Sequence, residues 1–249
     1  MTSDLANVKA LVFDVFGTTV DWHSSLVQEL SALGKKHQFE GDWSGFAEAW
    51  RAGYAQHIQM VGTGGSGAHN IDQVHREILD KILATAEWKE FGTRLDNEER
   101  HNLNNVWHRL HGWPDATEGL YALKKQKIIV ALSNGNVRLL ANMAKFADLP
   151  WDVVFSAELF GSLKPNVQVY EGAVKHLSLE PHECAMVAAH AWDLRSAAKI
   201  GMKTIFVKRY AHEPKHWEEE VKVKSQGGEV DLVVDSFTEL AVLLGQLVF

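Results

Sequence analysis

The sequence predicts an α/β protein: a Rossmann-like parallel sheet with helices on both faces, interrupted after its first strand by a helical insert. Three observations predict it. Leu11, Val12 and Phe13 form a short apolar run ending at Asp14, as a strand buried on both faces would. Residues 21–113 then carry apolar side chains at helical spacing with no clear strand. From residue 114 onward, strand-like runs alternate with helix-like stretches, the pattern of parallel strands joined by crossover helices. The expected division is a core of residues 1–20 and 114–249 and an insert of residues 21–113.

The first strand ends in a carboxylate, followed by Gly17, where the chain can turn sharply, and by the hydroxyls of Thr18 and Thr19. An acid at the carboxyl end of a buried parallel strand stands where open α/β sheets place their ligands; the other reading is an Asp that only caps a turn. In the insert, Ser25-x-x-Gln28 reads as a capping box at the head of a helix carrying Leu26, Leu30 and Leu33. Phe46, Trp50, Tyr54 and Ile58 mark a second helix. Ile71, Val74, Ile78 and Ile82 mark a third, and Leu103, Val106 and Leu110 a fourth. Gly62-Thr63-Gly64-Gly65-Ser66-Gly67 reads as a loop rather than a phosphate cradle, because helices flank it and no Lys follows.

Beyond Trp113-Pro114-Asp115, a helix with Leu120 and Leu123 leads to a strand at 128–132. A helix with Leu139, Leu140 and Met143 leads to a strand at 153–155, and a helix around 169–177 to a strand at 185–189. A helix from Asp193 stops at Gly201, a residue type suited to the left-handed position after a helix. Strands at 204–207 and 232–234 and a last helix from Leu240 to Leu247 complete the chain.

Composition narrows the class. At 249 residues, 46% hydrophobic and 23% charged, the chain suits a soluble globular protein of one domain with a sizeable core, or of a core plus a smaller module. A net charge of −7 gives no footprint for nucleic acid or an anionic membrane surface. The single cysteine, Cys184, excludes an internal disulfide and fits a reducing compartment. The N-terminus lacks a basic region followed by an apolar run, and no run approaches the roughly 20 apolar residues of a membrane span, so the cytoplasm is expected.

Five constellations could carry chemistry: Asp14-Val15-Phe16-Gly17-Thr18; Trp50-Arg51 in the insert; Ser133-Asn134-Gly135 at the end of a strand; Lys164-Pro165 with Tyr170 six residues after the Lys; and Ala188-Ala189-His190-Ala191-Trp192-Asp193. Together they resemble the haloacid dehalogenase superfamily, and the resemblance spans nearly the whole chain, the insert matching that family's helical cap. It implies that Asp14 is a nucleophile bonded by Thr18, with Lys164 neutralising its charge. Ser133 would anchor the substrate's anionic group. Phosphatases of the superfamily carry a second acid at the position of Phe16, to protonate a leaving alkoxide; the L-2-haloacid dehalogenase branch has an aromatic residue there, since a halide leaves without a proton.

The dehalogenase branch further implies that Arg51 and Asn134 hold the departing halide beside Trp192. Tyr170 would lie near the substrate carboxylate, and Asp193 would orient Lys164 or the hydrolytic water. The expected substrate is a small 2-haloalkanoic acid; neither metal nor cofactor is expected, and the chain could pair as a homodimer. Two positions depart from that branch, Ala188 and His190, where a Ser and an Asn are usual. Phe16, Ala188 and Ala189 offer no oxygen ligands for Mg²⁺. His190 could deprotonate a water or fill a core position. A phosphatase and a non-catalytic binding protein on the same fold are the rival readings. His101, His108 and His111 are expected at the surface, and the nine Trp residues in the packing of the insert and its contact with the core.

Overall fold

A computed structural model describes residues 5–209 and 221–245. Residues 1–4, which begin the N-terminus weighed above, and Leu247, the expected end of the last helix, lie outside the described residues. Six strands form one parallel sheet: β1 (Ala10–Phe13), β4 (Ile128–Ser133), β5 (Val153–Ser156), β6 (Cys184–Ala188), β7 (Lys203–Val207) and β8 (Leu232–Val234). Their order is β5-β4-β1-β6-β7-β8, so β1 is central and the winding reverses beside it. Register places Phe13 opposite Ala131 of β4 and Val187 of β6, which aligns the carboxyl ends of these three strands. Such a reversal opens a crevice at the strands' carboxyl ends.

Both faces of β1 are buried. Leu11 and Phe13 join a core with Leu120 of α6 (Ala116–Lys124), Leu139 of α7 (Val137–Phe146) and Leu240 of α10 (Phe237–Gly245). Ala10 and Val12 join a second core with Val169 of α8 (Val167–Leu177) and Leu194 of α9 (Ala191–Lys199). That is why the strand reads as a continuous apolar run and does not alternate. Gly201 takes φ +92° just past α9, as its position suggested. Asn166 caps α8 by accepting from the Gln168 amide, and Pro165 precedes the cap.

The segment between β1 and β4 is helical, as its periodicity indicates, but richer than four helices. It holds α1 (Trp22–Lys36), α2 (Trp43–Gly62), α3 (Ile71–Leu83), α4 (Lys89–Arg94) and α5 (Asn97–Asn104). The Leu103–Leu110 stripe is split, because α5 gives way to a 3₁₀ turn at Asn105–His108. Two short strands, β2 (Val20–Asp21) and β3 (His111–Gly112), pair antiparallel where the chain enters and leaves this segment. The capping box at Ser25 does not form. Asp21 caps α1 by accepting from the Ser24 amide, and Ser25 lies within the helix, donating to the Asp21 carbonyl. Trp50 is fully buried and its indole N–H donates to the His75 carbonyl, tying α2 to α3. Truncating such a Trp costs about 3–5 kcal/mol.

His108 does not lie at the surface as its sequence context predicts. It is buried, its Nε2 lies 2.9 Å from an Asp72 carboxylate oxygen, and its Nδ1 accepts from Asn142 of α7. His101 and His111 are exposed as expected. Among the described residues, no helix is long and apolar enough to cross a membrane.

Candidate active site

Asp14 follows the last residue of β1, and its amide extends the sheet ladder by donating to the Val187 carbonyl at 3.0 Å. The chain then turns back at Gly17, whose φ is +79°, a conformation in which a side chain would be strained. This turn carries Thr18 beneath the carboxylate: its hydroxyl donates to Asp14 Oδ2 at 2.7 Å and accepts from the Ala189 amide at 3.0 Å. Thr19 donates to the Asp14 carbonyl at 2.8 Å.

Lys164 reaches the same carboxylate from the loop ahead of α8. Its ammonium lies 3.1 Å from Asp14 Oδ1 and 2.7 Å from Asp193 Oδ2. The Tyr170 hydroxyl donates to the other oxygen of Asp193. His190, at the N-cap of α9, places Nδ1 3.0 Å from Asp14 Oδ2. Six of the residues singled out by sequence (Asp14, Thr18, Lys164, Tyr170, His190 and Asp193) therefore form one bonded, buried network.

The charges in this network are unequal. Burial alone would raise the Asp14 pKa, but the Lys164 ammonium, then His190 and the Thr18 hydroxyl, outweigh it and hold Asp14 well below the usual carboxylate range. Burial and the charge of Asp14 push Asp193 above its ordinary value despite its own bonds to Lys164 and Tyr170. Besides the shared cation, Asp14 has two further donors, the Thr18 hydroxyl and His190, whereas Asp193 has the Tyr170 hydroxyl. Burial pulls the Lys164 ammonium down, yet the two carboxylates outweigh it and raise its pKa. Burial, followed by the Asp193 charge, drives the Tyr170 phenol well above 10. Beside an ionised carboxylate, the His190 Nδ1 must carry a proton.

Asn134 is engaged more with structure than its expected halide role implies. Its side-chain oxygen accepts from the Lys164 amide at 2.8 Å, and its Nδ2 lies 3.4 Å from the Lys164 carbonyl. Ser133, fully buried at the end of β4, accepts from the Gly135 amide at 3.2 Å, which leaves its own proton to donate. Tyr170 faces Asp193. Trp192 is half-buried and stacks against His190 with ring centroids 5.6 Å apart.

The Phe16 ring meets the insert, and Arg51 packs within the insert against Tyr54, the same ring that Phe16 approaches. The Phe16 ring lies 6.1 Å from Tyr54 and 5.9 Å from Trp107. A Cβ on Gly135 would come within 3.2 Å of Phe16, so the glycine lets that ring settle on the β4 turn. The buried Arg51 guanidinium packs over Trp22 and Tyr54, 5.4 and 5.2 Å from their centroids. Tyr54 stacks on His75, which stacks on Trp107 at 3.9 Å. Burial, then the Arg51 charge, keeps the His75 imidazole well below its ordinary pKa and so neutral. The sequence pattern puts Tyr54 in a core stripe and Trp107 among the Trp residues that pack the insert, and gives His75 no role. Their only signal was helical spacing, which does not distinguish a pocket wall from packing. Gly62, read as part of a loop, is the last residue of α2; a Cβ there would lie 2.6 Å from the Lys164 carbonyl, so the glycine lets the insert abut the lysine's backbone.

The haloacid dehalogenase-like hydrolase family model matches residues 8–201. The chain belongs to that family. An L-2-haloacid dehalogenase, PA0810, superposes with a TM-score of 0.83 at 36% identity, over 95% of this chain and 99% of its own. A defluorinating L-2-haloacid dehalogenase, Rha0230, gives 0.83 and 36% over 96% and 95%. The (S)-2-haloacid dehalogenase 4A of Burkholderia cepacia is 29% identical over 96% of both chains. These relatives are named as dehalogenases, and the chain shares their α/β fold.

Proposed function

We propose that this protein is a hydrolytic (S)-2-haloacid dehalogenase, converting short-chain 2-haloalkanoic acids to 2-hydroxy acids through an ester on Asp14. The observation that carries the reading is the buried Asp14 carboxylate, held ionised by Lys164, Thr18 and His190, with Phe16 rather than an acid two residues on. Relatives named (S)-2-haloacid and L-2-haloacid dehalogenases support the substrate class.

An Asp14 oxygen attacks C2 opposite the halogen. The carbon–oxygen bond forms as the carbon–halogen bond breaks, the halide leaves with the electron pair, and C2 inverts. A halide is a weak base and needs no acid, which suits Phe16. Arg51, permanently charged and rich in donors, takes the halide with Trp192 and the amide hydrogen of Asn134 that does not face Lys164. Ser133 and neighbouring backbone N–H groups hold the substrate carboxylate, with Tyr170 and Lys164 nearby.

Water then attacks the Asp14 carbonyl carbon, the acyl–oxygen bond breaks, and the 2-hydroxy acid leaves. Ester formation cancels the charge that kept the His190 Nδ1 protonated toward Asp14, so the ring can exchange tautomer, accept the water's proton and return it to the departing alkoxide. Asp193 serves by orienting Lys164.

The donor set does not suit Mg²⁺, since Phe16, Ala188 and Ala189 supply no oxygen and both carboxylates already bind an ammonium; the chemistry is proposed to be metal-free. Residues 21–113 act as a cap over the core. The cytoplasm, supported by the lone cysteine, and a homodimer belong to the same proposal. In H₂¹⁸O under single turnover, label should enter the Asp14 carboxylate; label appearing directly in the hydroxy acid would mean that water attacks C2 and would overturn the ester route.

A further inference from the structure

Three consecutive carbonyls of the turn that carries Thr18 are held from behind. The Gly17 carbonyl accepts from the Trp113 indole N–H at 3.1 Å, and the Thr19 carbonyl from the Trp113 amide at 3.1 Å. Between them, the Thr18 carbonyl accepts from Arg209 Nε at 2.8 Å. The other two nitrogens of that guanidinium fork onto Asp115 at 2.7 and 3.1 Å, and Asp115 also accepts from the Phe237 amide at the head of α10. The Arg209 side chain is 5% exposed and lies over the rings of Phe237 and Trp113. A planar fork with a third donor along its stem fixes direction as well as distance, which a lysine ammonium does not.

We propose that Arg209 is a positioning residue for dehalogenation, fixing the Gly17–Thr19 turn through the Thr18 carbonyl so that the Thr18 hydroxyl holds Asp14 in line for attack. The inference rests on the proposed role of Asp14 but assigns a new residue, at the end of β7 and outside the five constellations of the sequence. Thr18 presents two ends: its hydroxyl bonds Asp14 and the Ala189 amide, while its carbonyl bonds Arg209. A shift at one end moves the other, because one short residue in a tight turn has no slack between them. Trp113 and Asp115 lie where the chain returns from the insert, so the same bonds register the insert's position at the nucleophile.

The test is a double-mutant comparison. Arg209→Lys keeps the charge and loses the fork. Halide release from (S)-2-chloropropionate should fall about tenfold or more in kcat, as expected of small misplacements of a reacting group, while KM stays within about twofold. In a Thr18→Val background, where no hydroxyl remains to be positioned, the same substitution should change kcat by no more than about twofold. An equal loss in both backgrounds, or a lowered Tm with kcat unchanged, would show that Arg209 only stabilises the fold and would overturn the inference. Should Arg209→Lys fail to fold, Asp115→Asn weakens the same fork and must give the same pattern. A wild-type protein that releases no halide refutes the proposed reaction and not the positioning; the comparison is then read from hydrogen exchange at the Ala189 amide. Arg209→Lys should speed that exchange when Thr18 is present and leave it unchanged in Thr18→Val, and unaltered exchange in both would overturn the inference.

Discussion

Replacing Lys164 with Met tests the electrostatic core of the site. The ammonium lies 3.1 Å from Asp14 and 2.7 Å from Asp193, and all three groups are buried. At an effective dielectric of about 20, opposite charges 3.1 Å apart attract by about 5 kcal/mol, a factor approaching 10⁴ in the ionisation of Asp14. Water entering the space will reduce this, so the acid limb of kcat/KM should rise by on the order of two to four pH units. The sign of the stability effect also reverses. In the native protein the folded pKa of Asp14 lies below its ordinary 3.8; its stabilisation is present above that value and is lost as pH falls through the lowered folded value. Without Lys164, two buried carboxylates keep only their Thr18, His190 and Tyr170 partners, and the pair's folded pKa is raised. Its contribution is then present at low pH and lost as pH rises through the folded value. The Tm of Lys164→Met should therefore compare best with the native protein near pH 5 and worst near pH 8, while halide release should recover with rising pH. Halide release and differential scanning calorimetry across pH 4–9 would measure both. A variant whose acid limb coincides with the native one would refute the claim that Lys164 holds Asp14 ionised.

Other outcomes follow from the same network. His190→Ala should give a halide burst of about one equivalent per site followed by slow turnover, with the substrate's acid moiety found by mass spectrometry on the Asp14 peptide; burst and steady state falling together in a folded variant would leave His190 a space-filling role. His190→Asn should restore part of the rate, because an amide can still orient the water. Asp193→Asn should lower Tm at pH 7 less than Asp14→Asn does: the raised folded pKa of Asp193 favours the fold only at low pH, whereas the lowered one of Asp14 favours it at neutral pH. The reverse order in calorimetry would contradict these assignments. Halide release should survive exhaustive EDTA, and activity lost to chelator and restored by Mg²⁺ would contradict the donor-set argument.

The sequence by itself determined the sheet, the helical insert and most of the residues that gather around Asp14, because each leaves a local trace. β1 is buried on both faces and so reads as an unbroken apolar run; α2 packs one stripe and so repeats every three to four residues. Asp14 and His190 follow a strand and Ser133 ends one, and parallel strands bring such residues to one edge. Local signals misled where a neighbour overrode them: Asp21 took the cap that Ser25 was expected to supply, and Asp72 drew His108 inward. Only the tertiary structure decided which groups share a proton or a charge. Lys164 lies 150 residues from Asp14, and its division between two carboxylates has no sequence period. The same is true of the commitment of Asn134 to the Lys164 backbone and of the aromatic stack around Arg51. Arg209 was illegible for the same reason: its partner is a backbone carbonyl, which every residue carries, so nothing in the sequence marks it until folding brings the end of β7 behind Thr18.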